Sequence, residues 1–96
     1  MSSEVNELQA ELCKILANPK RINIIYLLKD GEKSVLEIAK AIGISQSNTS
    51  QHLTIMKAKG VVKSRRAGNE IYYSLAIPEL SQACELVRTA LKRISK

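Results

Sequence analysis

Aromatic residues are scarce in this 96-residue chain, which has three tyrosines and neither tryptophan nor phenylalanine. Proteins that bind single-stranded nucleic acid usually stack its bases on several aromatic side chains. The composition therefore favours a duplex over a single strand as any nucleic-acid ligand.

Motifs for catalysis and for membrane insertion are also missing. The chain has one histidine and no glycine-rich phosphate loop, so no motif supports an enzyme. No apolar segment approaches the roughly 18 to 20 residues that cross a bilayer, and the first residues lack the basic and apolar regions of a signal peptide. We expect one soluble, cytoplasmic domain over residues 1–96 that is not an enzyme, uses no cofactor and has no membrane partner.

Acidic residues are absent between residues 38 and 69, whereas this segment holds six basic ones. They are Lys40, Lys57, Lys59, Lys63, Arg65 and Arg66. The basic residues elsewhere are balanced by the nine acidic ones, so the net charge of +6 arises in this one segment. A concentrated basic surface is typical of phosphate binding, but the charge alone fits a solvated basic face equally well.

The two ends of the chain are predicted to form amphipathic helices. Apolar residues recur at helical spacing over residues 4–16 and again over residues 78–95. Between them, Asn18 and Pro19 supply a cap and a first helical residue for a second, largely buried helix that reaches about Lys29. The central elements are sufficient to fill a small core, so we expect both terminal helices to bury their apolar stripes against a second copy of the chain.

Two short helices joined by a tight turn follow. Ser34 and Glu37 form a capping box that opens a helix ending at Gly43, and Ser45 caps the next helix, which runs to Gly60. Three residues of the first of these helices are expected to face the core: Leu36, Ala39 and Ile42. This arrangement is a helix-turn-helix.

The second of these helices separates an apolar face from a polar one. Thr49, Leu53 and Met56 recur at i, i+4 and i+7 and are predicted to face the core. Short hydrogen-bonding side chains dominate the opposite face, and such groups can pair with base edges or phosphates. The outward residues are Gln46, Ser47, Asn48, Ser50, Gln51, Thr54 and Lys57. An ordinary polar surface helix is the alternative interpretation.

Residues 61–66 and 70–75 are predicted to pair as a β-hairpin. Three residues are expected to alternate toward the core: Ile71, Tyr73 and Leu75. Three others are expected at or near the exposed tip: Arg65, Arg66 and Asn69. A basic tip that follows a polar helix is well placed to contact backbone phosphates or an adjacent minor groove.

Four segments in this order resemble the ArsR/SmtB family of winged helix-turn-helix repressors. They read ANPKRI (residues 17–22), SQSNTSQHL (45–53), KGVV (59–62) and GNEIYYSL (68–75). The resemblance spans nearly the whole chain. It implies a mainly α fold with a small β-hairpin, in the order helix, helix, helix-turn-helix, β-hairpin, helix. It also implies a homodimer that joins through its first and last helices, reads a palindromic operator in double-stranded DNA and releases it on binding an inducer of unknown identity.

The resemblance also assigns roles to residues. Residues 46–59 would enter the major groove with four side chains near the DNA: Ser47, Ser50, Gln51 and His52. The wing tip around Arg65 and Arg66 would rest on the flanking backbone. An alternative remains open, since winged helices also serve as protein-interaction or generic nucleic-acid-binding modules without their own operator.

The common metal sites of the family are not matched here. Residues 35–42 contain no cysteine, the last helix contains no histidine, and we therefore expect no metal site. The two cysteines are Cys13, on the first helix, and Cys84, on the last. Two interpretations stay open for them: small apolar fillers in a reducing cytosol, or a thiol switch that responds to oxidants or thiophilic metals.

Overall fold

The order of helices and strands is the predicted winged arrangement. The computed structural model describes residues 3–95, and within them it contains five helices and three strands. In chain order they are α1 (Ser3–Ile15), α2 (Pro19–Leu28), β1 (Lys33–Ser34), α3 (Val35–Ile42), α4 (Gln46–Ala58), β2 (Val62–Ala67), β3 (Glu70–Leu75) and α5 (Glu79–Ile94). The mainly α fold with a small β-hairpin is confirmed. Among residues 3–95, every helix falls short of the length and apolar character that a membrane span needs.

Side-chain caps fix where the central helices begin. Asn18 Oδ1 accepts hydrogen bonds from the backbone N–H groups of the two residues that follow Pro19, at 2.9 and 3.3 Å. Ser34 and Glu37 make both bonds of the capping box, at 3.1 and 2.8 Å. Ser45 Oγ accepts the backbone N–H three residues further on, at 3.0 Å. These bonds satisfy donors that a helix start leaves unpaired, so the predicted starts of α2, α3 and α4 are confirmed.

One hydrophobic core lies between α2, α3, α4 and the sheet, and Ile15 of α1 and Leu80 and Cys84 of α5 extend it. Its fully buried side chains are Ile24, Ile25, Ile38, Thr49, Leu53, Met56 and Val61. The α4 residues predicted to face the core are all among them. The Thr49 hydroxyl is satisfied locally, because it donates a 2.9 Å hydrogen bond to the carbonyl of Ser45. The core therefore fixes which face of α4 is left for solvent.

Two predicted core positions are wrong. Leu36 is exposed, whereas α3 buries Ala39 as predicted and Ile38 in place of Leu36. Leu36 precedes Ile38 by about 200° of helical rotation, which places it on the opposite side of this short helix. Ile71 is also exposed, whereas Tyr73 is buried, because burial in β3 falls toward the hairpin turn.

The hairpin carries a third strand that the sequence patterns did not indicate. Strand β1 pairs antiparallel with β3, so the sheet order is β1-β3-β2. Two residues are too few to display the alternation by which strands are recognised in a sequence. Strands β2 and β3 pair up to Ala67 and Glu70. Gly68 begins the two-residue turn at φ 62°, the left-handed region that a type II′ hairpin requires at this position.

Candidate nucleic-acid interface

The outer face of α4 brings most of the predicted site residues together. The exposed ones are Gln46, Ser47, Asn48, Gln51, Thr54 and Lys57, while Ser50 is half-buried. Ser47, Ser50, Gln51 and Thr54 line one shallow concave patch. The Thr54 hydroxyl donates to the carbonyl of Ser50 at 2.8 Å, so its oxygen stays free to accept. This surface offers donors and acceptors on a rigid helix.

Ile55 belongs to the same patch and was missed in the sequence. Its side chain is 43% exposed and lies beside Gln51 and Thr54. An apolar group among polar ones can contact the methyl group of thymine, which is one of the features that distinguish base pairs in the major groove. The signal was present in the sequence, since Ile55 falls outside the buried stripe of Thr49, Leu53 and Met56.

His52 lies half-buried beside the first turn of α2. Burial, and then the positive charges of Arg21 and Lys20, lower the pKa of its imidazole, so His52 is neutral at pH 7. His52 Nδ1 and Arg21 Nε are buried, and neither has a hydrogen-bond partner among the described residues. Lys20 and Arg21 therefore add positive charge next to α4. The sequence patterns did not place them at the site, because they lie outside the acid-free segment.

The basic residues of the acid-free segment are not all unpaired in space. Arg65 forms an ion pair with Glu32, and Lys59 Nζ lies 3.8 Å from Glu11 Oε2. Four others have no ion pair within residues 3–95: Lys40, Lys57, Lys63 and Arg66. The segment itself contains no acidic residue, but the fold places Glu32 and Glu11 next to two of its basic side chains.

The two arginines of the wing lie on opposite faces of the hairpin. Arg65 pairs across the strands with Tyr72, and Arg66 pairs with Ile71, one step nearer the turn. Successive side chains of a strand point to opposite faces, so Arg65 and Arg66 would reach DNA from different sides of the wing. Asn69 is exposed in the turn itself. The prediction that all three contact DNA stays a prediction.

The two cysteines line one groove. Cys13 is exposed and Cys84 is buried, and both border a groove of about 680 Å³ between α1, α2 and α5. Arg88 lies over the Tyr26 ring in this groove, with Cζ 3.9 Å from the ring centroid. Burial raises the pKa of the Cys84 thiol, which is therefore protonated at pH 7. The burial of Cys84 fits a small apolar filler, whereas the exposure of Cys13 does not. Whether the two cysteines are fillers or a thiol switch stays a prediction.

The terminal helices leave a large apolar surface uncovered. Exposed apolar residues on α1 and α5 are Val5, Leu8, Leu86, Val87, Leu91 and Ile94. Only Leu80, Ser81 and Cys84 of α5 are buried within the single chain. Exposed apolar side chains concentrated on two helices are typical of interaction sites in proteins.

A helix-turn-helix with a polar outer face on its second helix, followed by a basic β-hairpin, defines a winged helix-turn-helix DNA-binding domain. The chain belongs to the ArsR family of bacterial regulatory proteins, whose family model matches residues 18–64. It is accordingly a transcriptional regulator and not an enzyme.

Three relatives support this assignment. The uncharacterized HTH-type transcriptional regulator Rv0081 of Mycobacterium tuberculosis is 38% identical over 94 residues, which cover 97% of this chain and 82% of the relative. Its crystal structure superposes with a TM-score of 0.84 over 97% of this chain and 94% of that one. The homodimeric winged helix-turn-helix domain Mb0332 of Mycobacterium bovis has a TM-score of 0.81 at 32% identity, covering 94% and 83%. The biofilm growth-associated repressor of Xylella fastidiosa is 35% identical over 89 residues, covering 93% and 77%.

Proposed function

We propose that this protein is a homodimeric repressor that reads a palindromic operator through α4. The outer face of α4 supports the proposal, because its polar side chains form one surface beside basic residues that have no ion pair within residues 3–95. Side chains of this kind cost helix stability, so their concentration on one exposed face favours a binding role. Acting on DNA, the protein would work in the cytoplasm.

Each part of the surface would make a different contact. Gln51 can bond the N6 and N7 edge of adenine, and Ser47 and Ser50 can reach bases or phosphates. Lys57 and Arg66, which have no ion pair among the described residues, would neutralise phosphates on either side. Base contacts would give sequence preference, while phosphate contacts would give affinity and a strong dependence on salt.

The dimer would form through α1 and α5. The exposed apolar side chains on these helices give each chain a surface that a second copy can cover. The Mycobacterium bovis domain, at 32% identity, is homodimeric, which supports a homodimer here as well. A two-fold axis would then place the two α4 helices in successive major grooves, on the order of 34 Å apart. A bound dimer would block access to a promoter that overlaps the operator.

Replacing Gln51 with alanine is expected to lower discrimination between the operator and random duplex by about 5- to 150-fold, since a bidentate base contact is lost. Fluorescence anisotropy with both duplexes, at several salt concentrations, measures this ratio. The matched control is Lys57→Ala on the same helix. This variant should lower the affinity for both duplexes alike and reduce the slope of log affinity against log salt concentration by about one.

Two results would contradict this interpretation. Equal affinity of the unaltered protein for operator and random duplex would make it a generic nucleic-acid-binding module. An equal loss of affinity for both duplexes in Gln51→Ala, with unchanged thermal stability, would show that Gln51 contacts the DNA backbone and not a base.

A further inference from the structure

The guanidinium group of Arg65 is held between a carboxylate and an aromatic ring. Its Nε donates to Glu32 Oε1 at 3.0 Å and to Oε2 at 2.9 Å, and its Nη2 also donates to Oε1. Its Cζ lies 4.9 Å from the centroid of the Tyr72 ring. The edge of the guanidinium therefore faces the carboxylate, while its central carbon lies over the ring.

The sheet order brings these three residues together. Glu32 directly precedes β1, where Ser34 pairs with Tyr72 of β3, and Tyr72 pairs in turn with Arg65 of β2. Arg65 thus reaches across the central strand to an acid 33 positions earlier in the chain. Arg66, next in sequence, points to the other face and has no acidic partner within the described chain.

The pair is charged, solvent-accessible and electrically balanced. Hydrogen bonds from Arg65 lower the pKa of the Glu32 carboxyl group, so Glu32 stays ionised at neutral pH. The side chains of Arg65 and Glu32 are 57% and 36% exposed. In the free protein, the positive charge of Arg65 is therefore already neutralised, although water and ions can reach it.

We propose that Glu32 competes with a DNA phosphate for Arg65, so that the wing gains this phosphate contact by an exchange of partners. The inference rests on the proposed function. A phosphate offers the guanidinium edge the same charge-assisted, paired hydrogen bonds as a carboxylate. Exposed ion pairs are weakly held and screened by salt, so Glu32 can be displaced. The cation–π contact with the Tyr72 ring holds the guanidinium near the same position during the exchange.

Glu32→Gln tests the competition, because glutamine keeps the shape of glutamate but removes the charge. The variant is expected to bind every duplex about 3- to 10-fold more tightly at moderate salt, with nearly the same salt slope, because Arg65 contacts the same phosphate in both proteins. The readout is fluorescence anisotropy of the full chain on operator and random duplexes over a series of salt concentrations. Thermal unfolding of each variant checks that the fold is kept.

A double-mutant cycle separates exchange from simple repulsion between Glu32 and DNA. In an Arg65→Gln background, Glu32→Gln should give no further gain. In the matched Arg66→Gln background, the gain should remain. A gain that persists with Arg65→Gln would show general repulsion and overturn the proposal.

A loss of affinity with Glu32→Gln, accompanied by a lower unfolding temperature, would show that Glu32 only braces the wing, which also overturns the proposal. Failure of the unaltered protein to prefer its operator would refute the proposed function instead. The two failures are therefore distinguishable, since the exchange is measured on random duplex as well.

Discussion

Replacing Leu91 with glutamate is expected to turn the dimer into a monomer and to lower operator affinity by at least about 100-fold, because two linked half-site contacts become one. Leu91 is 56% exposed on the apolar face of α5, so the single chain does not need it for its core. In a two-fold interface the new carboxylate would appear twice and would be buried without a partner. Sedimentation equilibrium reports the mass, and anisotropy reports the affinity.

Gln82→Glu is the matched control for this variant. Gln82 is exposed on the same helix, about 180° of helical rotation from Leu91, and it also gains one negative charge. It should remain dimeric and bind the operator almost normally. A Leu91→Glu variant that is still a dimer at micromolar concentration would place the subunit interface elsewhere.

Replacing Leu53 with alanine is expected to lower the free energy of unfolding by about 2 to 5 kcal/mol, because the buried side chain leaves a cavity. Leu53 is fully buried on the inner face of α4. Its removal loosens the helix that carries Gln51, so operator affinity should fall together with stability. Urea unfolding at one fixed protein concentration measures the change, since a dimer is stabilised by mass action.

The neighbouring Thr54→Ala variant is the control for stability. Thr54 is exposed, and we expect its replacement to change the free energy of unfolding by about 0.5 kcal/mol or less. A cost below about 1 kcal/mol for Leu53→Ala would be too small for a well-packed leucine. It would mean that α4 is not anchored as the fold requires.

Local chemistry explains why so much of the fold was predictable. The caps at Asn18, Ser34 and Ser45 act within three residues, so the sequence predicts them directly, and the structure contains all three. Long-range contacts are different. Strand β1 exists only because β3 lies beside it, and the exposure of Ile71 depends on how far the hairpin extends beyond the helices.

In the candidate site, too, the sequence predicts the features that depend on local periodicity and misses those that depend on long-range contacts. The polar face of α4 follows from helical periodicity, because burial of Thr49, Leu53 and Met56 leaves the opposite side to solvent. The partners of the basic residues do not follow from periodicity. Glu32 reaches Arg65 through the order of the sheet, and Arg21 lies near His52 through packing of α2 on α4. Counting charges along the chain therefore overstated the number of basic side chains that lack an acidic partner in the fold.

The proposed function requires two α4 helices of one dimer to read a palindromic site in duplex DNA. Selection of bound duplexes from a random-sequence library, using the full chain, tests it most directly. We expect enrichment of an inverted repeat whose half-sites have centres about 10 to 10.5 base pairs, or one helical turn, apart. Recovery of duplexes with no shared sequence, or of a single half-site bound by one chain, would contradict it.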